Sequence, residues 1–488
     1  MKAYIKHFIP VIASAMLVAG CGKDFLETEP TEFISAQQIK DATEKNPDIQ
    51  AGSIAGLYST MYTPGTGGTD LNHDDFGQKG WDIYMDLISS DMVLGGTVYG
   101  WYSSLARLQA TTDYTRDECY MPWRYYYRII FGANIVIDGL GGNDAALESD
   151  EARYYMGQAK AMRAYGYFYL ANLYARSYDP SEPILPIYTD LEAPNQPKST
   201  TQEVYDLIIS DLTEAIELLD GFSRQSKSQI NQSVAKGLLA YAYATTGQYD
   251  LAMQEAQDIV QSGNFPLMDE AAVTGGFNDI NTAGWMWGVD ITLDNGLDLV
   301  SWWGQVDIYT YSYAWVGDFK AIDKNLYDAI PDNDVRKAQF GNEDDYKLVP
   351  IGKFYDPGKT QGGQRNVTTD YVYMRVAEMY LLLAESAARS GNEQVARETL
   401  KDLLEERIPD ASYVDALSGQ ALLDEIYLQT RIELWGEGKS YLAMKRNKAT
   451  ITRGPNHLSL AGQSFSFDDE RLTLSIPQVE IQNNPQID

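Results

Sequence analysis

Cysteine and histidine are nearly absent from this 488-residue chain, and each scarcity closes off a class of chemistry. Two cysteines, Cys21 and Cys119, cannot build a disulfide framework. Cys119 is expected to be a buried small apolar residue. The histidines are His7, His73 and His457, with no HExxH or CxxC spacing, so no zinc site is expected. Basic residues are also sparse, 38 against 69 acidic ones, for a formal charge of −31. Phosphate recognition needs clustered Lys and Arg, which argues against nucleic acid and anionic headgroups as partners. After the N-terminal leader no apolar run reaches the roughly 18 residues of a membrane span. The chain is long enough to bury a large core without metal or disulfide staples.

Tyrosine is what the chain has in excess: 35 Tyr and 9 Trp against 14 Phe. A core needs no phenol oxygen, whereas a half-wet surface favours a ring with a polar edge. Most of these tyrosines are expected at helix–helix boundaries with their hydroxyls in water. The remainder would present aromatic faces to a polar ligand.

Residues 1–20 read as a secretory signal peptide. Lys2 and Lys6 precede an apolar run from Phe8 to Ala19, too short to span a bilayer. The run ends in Leu17-Val18-Ala19-Gly20-Cys21, a lipobox-like sequence with the Cys21 thiol as lipid acceptor. Each buried methylene contributes about 0.8 kcal/mol, so several acyl chains on one cysteine anchor durably. The expected state is a lipid-anchored protein, with 21–50 as a lipidated N-terminal tether containing Pro30 and Pro47. Residues 51–488 then form a single domain.

Within that domain the periodicity is helical. Thr200-Thr201-Gln202-Glu203 has the form of a capping box. Val204, Ile208, Leu212, Ala215, Ile216 and Leu219 follow it on one helical face. The segment SVAKGLLAYAYATTGQYDLAMQEAQDIVQSGNF reads as a tetratricopeptide-like hairpin, with Gly247 at the turn and Ala252 and Ala256 allowing close approach. RVAEMYLLLAESAARSGNEQVARETLKDLLEER repeats the theme with Ala384, Gly391 and Ala396, and QAKAMRAYGYFYLANLYARSYD is a third candidate. Two long insertions, about 66–130 and 266–366, are rich in Gly, Asp, Asn and aromatics with weak periodicity. Such insertions are usually functional or disordered, and aromatic content argues against disorder.

Six stretches, in order, resemble the SusD/RagB family of nutrient-binding outer-membrane lipoproteins. They are CGKDFLETEPT, WRYYYRIIFGANIVID with its Asn134, KAMRAYGYFYLANLYA followed by PILPIY, DYVYMRVAEMYLLLAESAARSG, RIELWGEGKSYLAMKRNK and SIPQVEIQNNPQI. SYLAMKRNK departs from the family pattern, lacking the aspartate and tryptophan that many members carry near the Lys-Arg pair. The resemblance implies an all-α dominated fold of about four tetratricopeptide-like helical hairpins, with irregular, partly β ligand-binding insertions. It implies a SusC-like TonB-dependent transporter as partner, a position on the outer membrane facing the cell surface, and no catalysis. Its ligands are mostly oligosaccharides; the alternative is a peptide or glycopeptide, as in the RagB branch.

Sugar rings have an apolar C–H face and an equator of hydroxyls, so aromatic rings with short polar side chains complement them. GWMWGVDITLDNGLDLVSWWGQVDIYTYSYAW carries Trp285, Trp287, Trp302, Trp303 and Trp315. Tyr309, Tyr311 and Tyr313 alternate there, and in a strand would share one face. Tyr99, Trp101 and Tyr102 come from the earlier insertion, with Asp91 as a polar partner. These residues, Tyr313 aside, are the expected ligand contacts. No cofactor is expected; DNDVR and NEDDY offer oxygens to a structural calcium, but neither has EF-hand spacing. A glycoside hydrolase would need two carboxylates at a set separation, which sequence alone does not reveal.

Overall fold

The computed structural model describes residues 46–70 and 72–487, together with Gln38, Ala42 and Thr43. The leader, Cys21 and most of the tether lie outside the described residues. Helices dominate. In chain order the elements used below are α1 (Gln50–Ser59), α2 (Gln78–Ile88), β1 (Met92–Leu94), α3 (Asp117–Gly139), α4 (Asp150–Tyr174), α5 (Thr201–Leu218), α6 (Gln232–Thr245) and α7 (Tyr249–Gln261). They continue with β2 (Trp285–Val289), β3 (Lys320–Ile322), β4 (Tyr371–Arg375), α8 (Val376–Arg389), α9 (Glu393–Glu405), α10 (Gly419–Glu433) and α11 (Lys439–Arg446).

From α3 to α9 each helix lies against the next, α7 meeting α8 although the second insertion separates them in sequence. Local chemistry sets the boundaries. The capping box before α5 forms, with Thr200 Oγ1 accepting from the Glu203 amide and the Glu203 carboxylate accepting from the Thr200 amide. Gly247 and Gly391 turn α6 into α7 and α8 into α9 with φ of 78° and 85°, which a glycine adopts without penalty. Ala252, Ala256 and Ala396 are fully buried at the close contacts. Arg163 joins three helices. It donates to both Asp211 oxygens on α5 at 2.7 Å and to Asn134 of α3 at 3.0 Å.

The tyrosines are wetter in expectation than in fact. Tyr58, Tyr84, Tyr126, Tyr167, Tyr174 and Tyr441 are buried, and their hydroxyls bond to Gln158, Asp74, Gln78 and main-chain carbonyls. Burying a hydroxyl is tolerable once it is paired. Cys119 is buried as expected, its thiol donating to the Ala110 carbonyl at 3.2 Å.

The two insertions are less irregular than their composition suggests. α2 and the start of α3 fall inside 66–130. The remainder is fastened by two small antiparallel sheets. β1 pairs with β3 (Met92↔Ile322, Leu94↔Lys320), and β2 pairs with β4 (Trp285↔Arg375, Val289↔Tyr371). β4 runs directly into α8, so β2 of the second insertion is tied to the helical stack through the strand that follows the insertion. Among the described residues no helix is long and apolar enough to cross a membrane.

Candidate functional site

The first loop of the site leaves β1 at Gly95 and Gly96. A Cβ on Gly95 would lie 1.9 Å from the Phe319 ring, and one on Gly96 would lie 1.9 Å from the Gly317 carbonyl oxygen. Only glycine lets this loop press so closely on residues 317–319, which lead into β3. The Asp318 carboxylate, wholly buried, then accepts the amides of Val98, Tyr99 and Gly100. Three amide donors on one carboxylate hold the loop in a single shape. They project Tyr99, 64% exposed, and Trp101, half-buried, towards solvent.

A second loop, 307–316, faces it. The buried Asp307 carboxylate accepts the amides of Tyr309 and Asp356 at 2.9 Å and the Thr310 hydroxyl at 2.8 Å. Burial pushes its carboxyl up to about 6, against the pull of those donors. The Tyr309–Tyr311–Tyr313 alternation does not form a strand. Ser312 accepts the Trp315 amide and starts a helical turn, Tyr313–Val316. Trp315, 44% exposed, lies over Gly362, where a Cβ would come within 2.8 Å of the indole. The Arg365 guanidinium sits 4.3 Å from the Tyr311 ring centre, and Tyr311 and Trp315 are 6.2 Å apart.

His73 joins the two loops. Its ring stacks on Trp101 at 5.1 Å and 6°, and Nδ1 hydrogen-bonds the Tyr313 hydroxyl. Tyr313 in turn meets Tyr99 edge-on at 5.2 Å. Partial burial lowers the His73 pKa, so the ring is neutral at pH 7. The result is an arc of aromatic faces, Tyr99, Trp101, Tyr311 and Trp315, backed by His73 and Tyr313. Beside Trp101 opens a polar groove of about 570 Å³, lined by Asn72, Ser103, Ser104, Arg107 and Gln109 among others. Tyr309, half-buried, lies at the base of the second loop.

Five of the expected contacts lie elsewhere. Trp285, Trp287, Trp302 and Trp303 are at most 1% exposed and line the interior, where no ring face is open to a ligand, whereas Tyr102, 3% exposed, stands at the wall of the groove beside Trp101. Trp287 packs edge-on against Tyr165 of α4 and Tyr373 of β4. Asp91 is buried in a two-pronged ion pair with Arg431, and its carbonyl accepts the Trp435 indole N–H at 2.8 Å. Asp334 of DNDVR is bonded to Arg336, and Asn342 of NEDDY caps a helical turn. No group of three or more His, Cys, Asp or Glu among the described residues is placed to hold a metal ion. No local pattern marks His73 or Asp318 as site-builders, and Tyr313 stands out in the sequence only as the last member of the Tyr309–Tyr311–Tyr313 alternation.

Asp74, only 4% exposed, stands at the wall of the polar groove. Its Oδ2 accepts the Tyr84 hydroxyl at 3.0 Å, while Oδ1 has no partner. Burial pushes its carboxyl from 3.8 up to about 7. Between about pH 4 and 7 the native protein holds a proton that the unfolded chain has released, so this group lowers stability as pH rises. Asp74→Asn is therefore expected to raise Tm by about 2–4 °C at pH 8 and to leave it unchanged at pH 4. Thermal melts of both proteins at the two pH values check this, and an equal shift at each would refute it.

Two family models match the chain. One, described as starch-binding associating with outer membrane, covers residues 88–244, and the other, described as SusD family, covers 323–488. The chain belongs to the SusD family. A SusD-like protein of Formosa agariphila, P2, is 24% identical over 99% of this chain and 98% of its own length. For the SusD-like protein P25 of the same organism the match is 22% identical and spans 58% of this chain and about half, 52%, of the relative. A SusD-like carbohydrate binding protein from Bacteroides vulgatus superposes with a TM-score of 0.73 at 26% identity, covering 90% of this chain and 96% of that one. Surface glycan-binding protein A from Bacteroides thetaiotaomicron, solved in complex with laminarihexaose, shares the fold with a TM-score of 0.69 at 17% identity, covering 89% and 97%. SusD proteins are helix-dominated, outer-membrane associated and named for binding, and this chain has that fold.

Proposed function

We propose that the protein captures an oligosaccharide on the arc formed by Tyr99, Trp101, Tyr311 and Trp315 and hands it, unaltered, to a SusC-like TonB-dependent transporter. In this reading Cys21 carries the lipid that holds the protein at the cell surface. The observation that carries the proposal is the pairing of exposed, immobilised ring faces with an adjoining polar groove. The rings complement the C–H faces of sugars and the groove complements their hydroxyls. Support comes from structural relatives named for glycan or carbohydrate binding.

Each stacked ring contributes on the order of 1 kcal/mol beyond area burial. A few rings plus hydrogen bonds place affinity in the micromolar to millimolar range, weak enough for release. In native affinity gels cast with a panel of soluble polysaccharides, the wild-type protein is expected to be retarded by at least one. The Trp101→Ala/Trp315→Ala protein should run as in a blank gel while its melting temperature changes little. Equal retardation of both proteins would remove the arc from the mechanism, and new reducing ends in the incubation would point to catalysis.

A further inference from the structure

A second cavity, of about 540 Å³, opens between α1, the first half of α4, the 222–229 loop, the end of β2 at Val289 and the middle of β4 at Tyr373. Its volume lies within the range of about 300–1,000 Å³ usual for small-molecule sites. None of its lining residues belongs to the arc or to the polar groove beside Trp101.

The lining divides into two kinds of surface. Tyr62, Tyr154, Tyr155 and Phe222 supply half-buried rings, with Tyr154 and Phe222 only 4.9 Å apart. Gln225, Ser226, Ser228, Asp290 and Asn295 supply amides, hydroxyls and one carboxylate. The lining contains no lysine or arginine, whereas Glu151 and Asp290 both stand at it. Negative ligands are therefore repelled, and a neutral one rich in hydroxyls is matched. At the floor, Tyr373 is only 7% exposed, and its hydroxyl has no hydrogen-bond partner in the protein. Leaving a buried hydroxyl unpaired costs free energy, which makes this atom a place for a ligand's hydroxyl to bond.

We infer that this cavity is a second binding site, for one or two neutral sugar rings, independent of the aromatic arc. A ring seated against Tyr155 or Tyr62 can direct one hydroxyl to Tyr373 and others to Asn295 and Gln225. The Asn295 carbonyl oxygen is already engaged by the Thr292 amide, which leaves its NH₂ group as the donor.

The test uses the full-length protein with Trp101→Ala/Trp315→Ala as background, so that the arc makes no contribution. Glucose, maltose, cellobiose and laminaribiose are the probes, read by saturation-transfer NMR and titrated for Kd. At least one probe is expected to bind in the millimolar range. Adding Tyr373→Phe, which keeps the ring and removes the hydroxyl, should weaken it about fivefold or more. Asn295→Ala should do the same at unchanged melting temperature. Three results would overturn the site: no probe binds in the background protein, Kd is the same with and without Tyr373→Phe, or a crystal structure shows the cavity filled by chain preceding residue 46. Because the arc is already disabled, none of these results bears on the proposal made for it.

Discussion

Replacing Glu433 with glutamine is expected to cost about 3–5 kcal/mol of unfolding free energy, although the two side chains have nearly the same shape. Its carboxylate accepts from Arg375 at 2.7 Å, from Arg407 at 2.9 Å through two nitrogens, and from Arg336 at 3.2 Å. Glu437 accepts from Arg375 at 2.8 Å and from Lys353 at 2.9 Å, and Asp334 pairs with Arg336. All these side chains are at most 3% exposed. Four cations thus face three carboxylates in the dry interior. Burial alone would raise the Glu437 pKa, but Arg375 and Lys353 hold it down to about 2. Its stabilising contribution is present above the unfolded value of 4.5 and is lost as pH falls through about 2. Losing the Glu433 charge leaves three buried guanidiniums short of an anionic partner. Urea unfolding of Glu433→Gln against wild type reads the effect directly. A loss under about 1 kcal/mol would mean that the cluster is hydrated and behaves like a surface network.

Trp303→Ala should be nearly as damaging, by about 3–5 kcal/mol. The indole is fully buried, donates to the Thr369 carbonyl at 2.8 Å and meets Phe354 edge-on. Truncation opens a cavity and leaves that carbonyl unpaired. Trp101→Ala, at a half-exposed ring, should cost under about 1 kcal/mol, since surface changes away from special features are small. The two variants therefore separate stability from recognition. Chemical denaturation of each, beside a glycan gel of each, checks the contrast. If Trp303→Ala melts like wild type and loses only retardation, the ring belongs to the site after all.

That contrast also marks how far the sequence could be read. The helical stack was legible because burial on one face of a helix repeats every three or four residues. The Thr200 capping box, the Gly247 and Gly391 turns and the small residues at Ala252 and Ala396 could each be located without coordinates. The site was legible only as a region. Trp302 and Trp303 have the same local composition as Trp315, and what separates them is coverage by α2 and the 350s segment, whose Lys79 and Phe354 lie against Trp302. Coverage of that kind comes from tertiary contacts and leaves no periodicity in the chain. Tyr309, Tyr311 and Tyr313 had strand-like spacing, but Ser312 is a good helix N-cap and won locally. Asp91 read as a free polar group because Arg431, its partner, lies 340 positions away.

That last distance has a consequence for how copies of the protein are made. Asp91 ends the turn leading into β1, and the loop that presents Tyr99 and Trp101 springs from the same strand. Until Arg431 and Trp435 have left the ribosome, Asp91 is a charge with nothing to neutralise it, and burying it alone is strongly unfavourable. A nascent chain therefore has reason to keep the root of β1 open until Arg431 has been made. A copy terminated before Arg431 would lack the partner that lets Asp91 pack at the root of the loop carrying Tyr99 and Trp101.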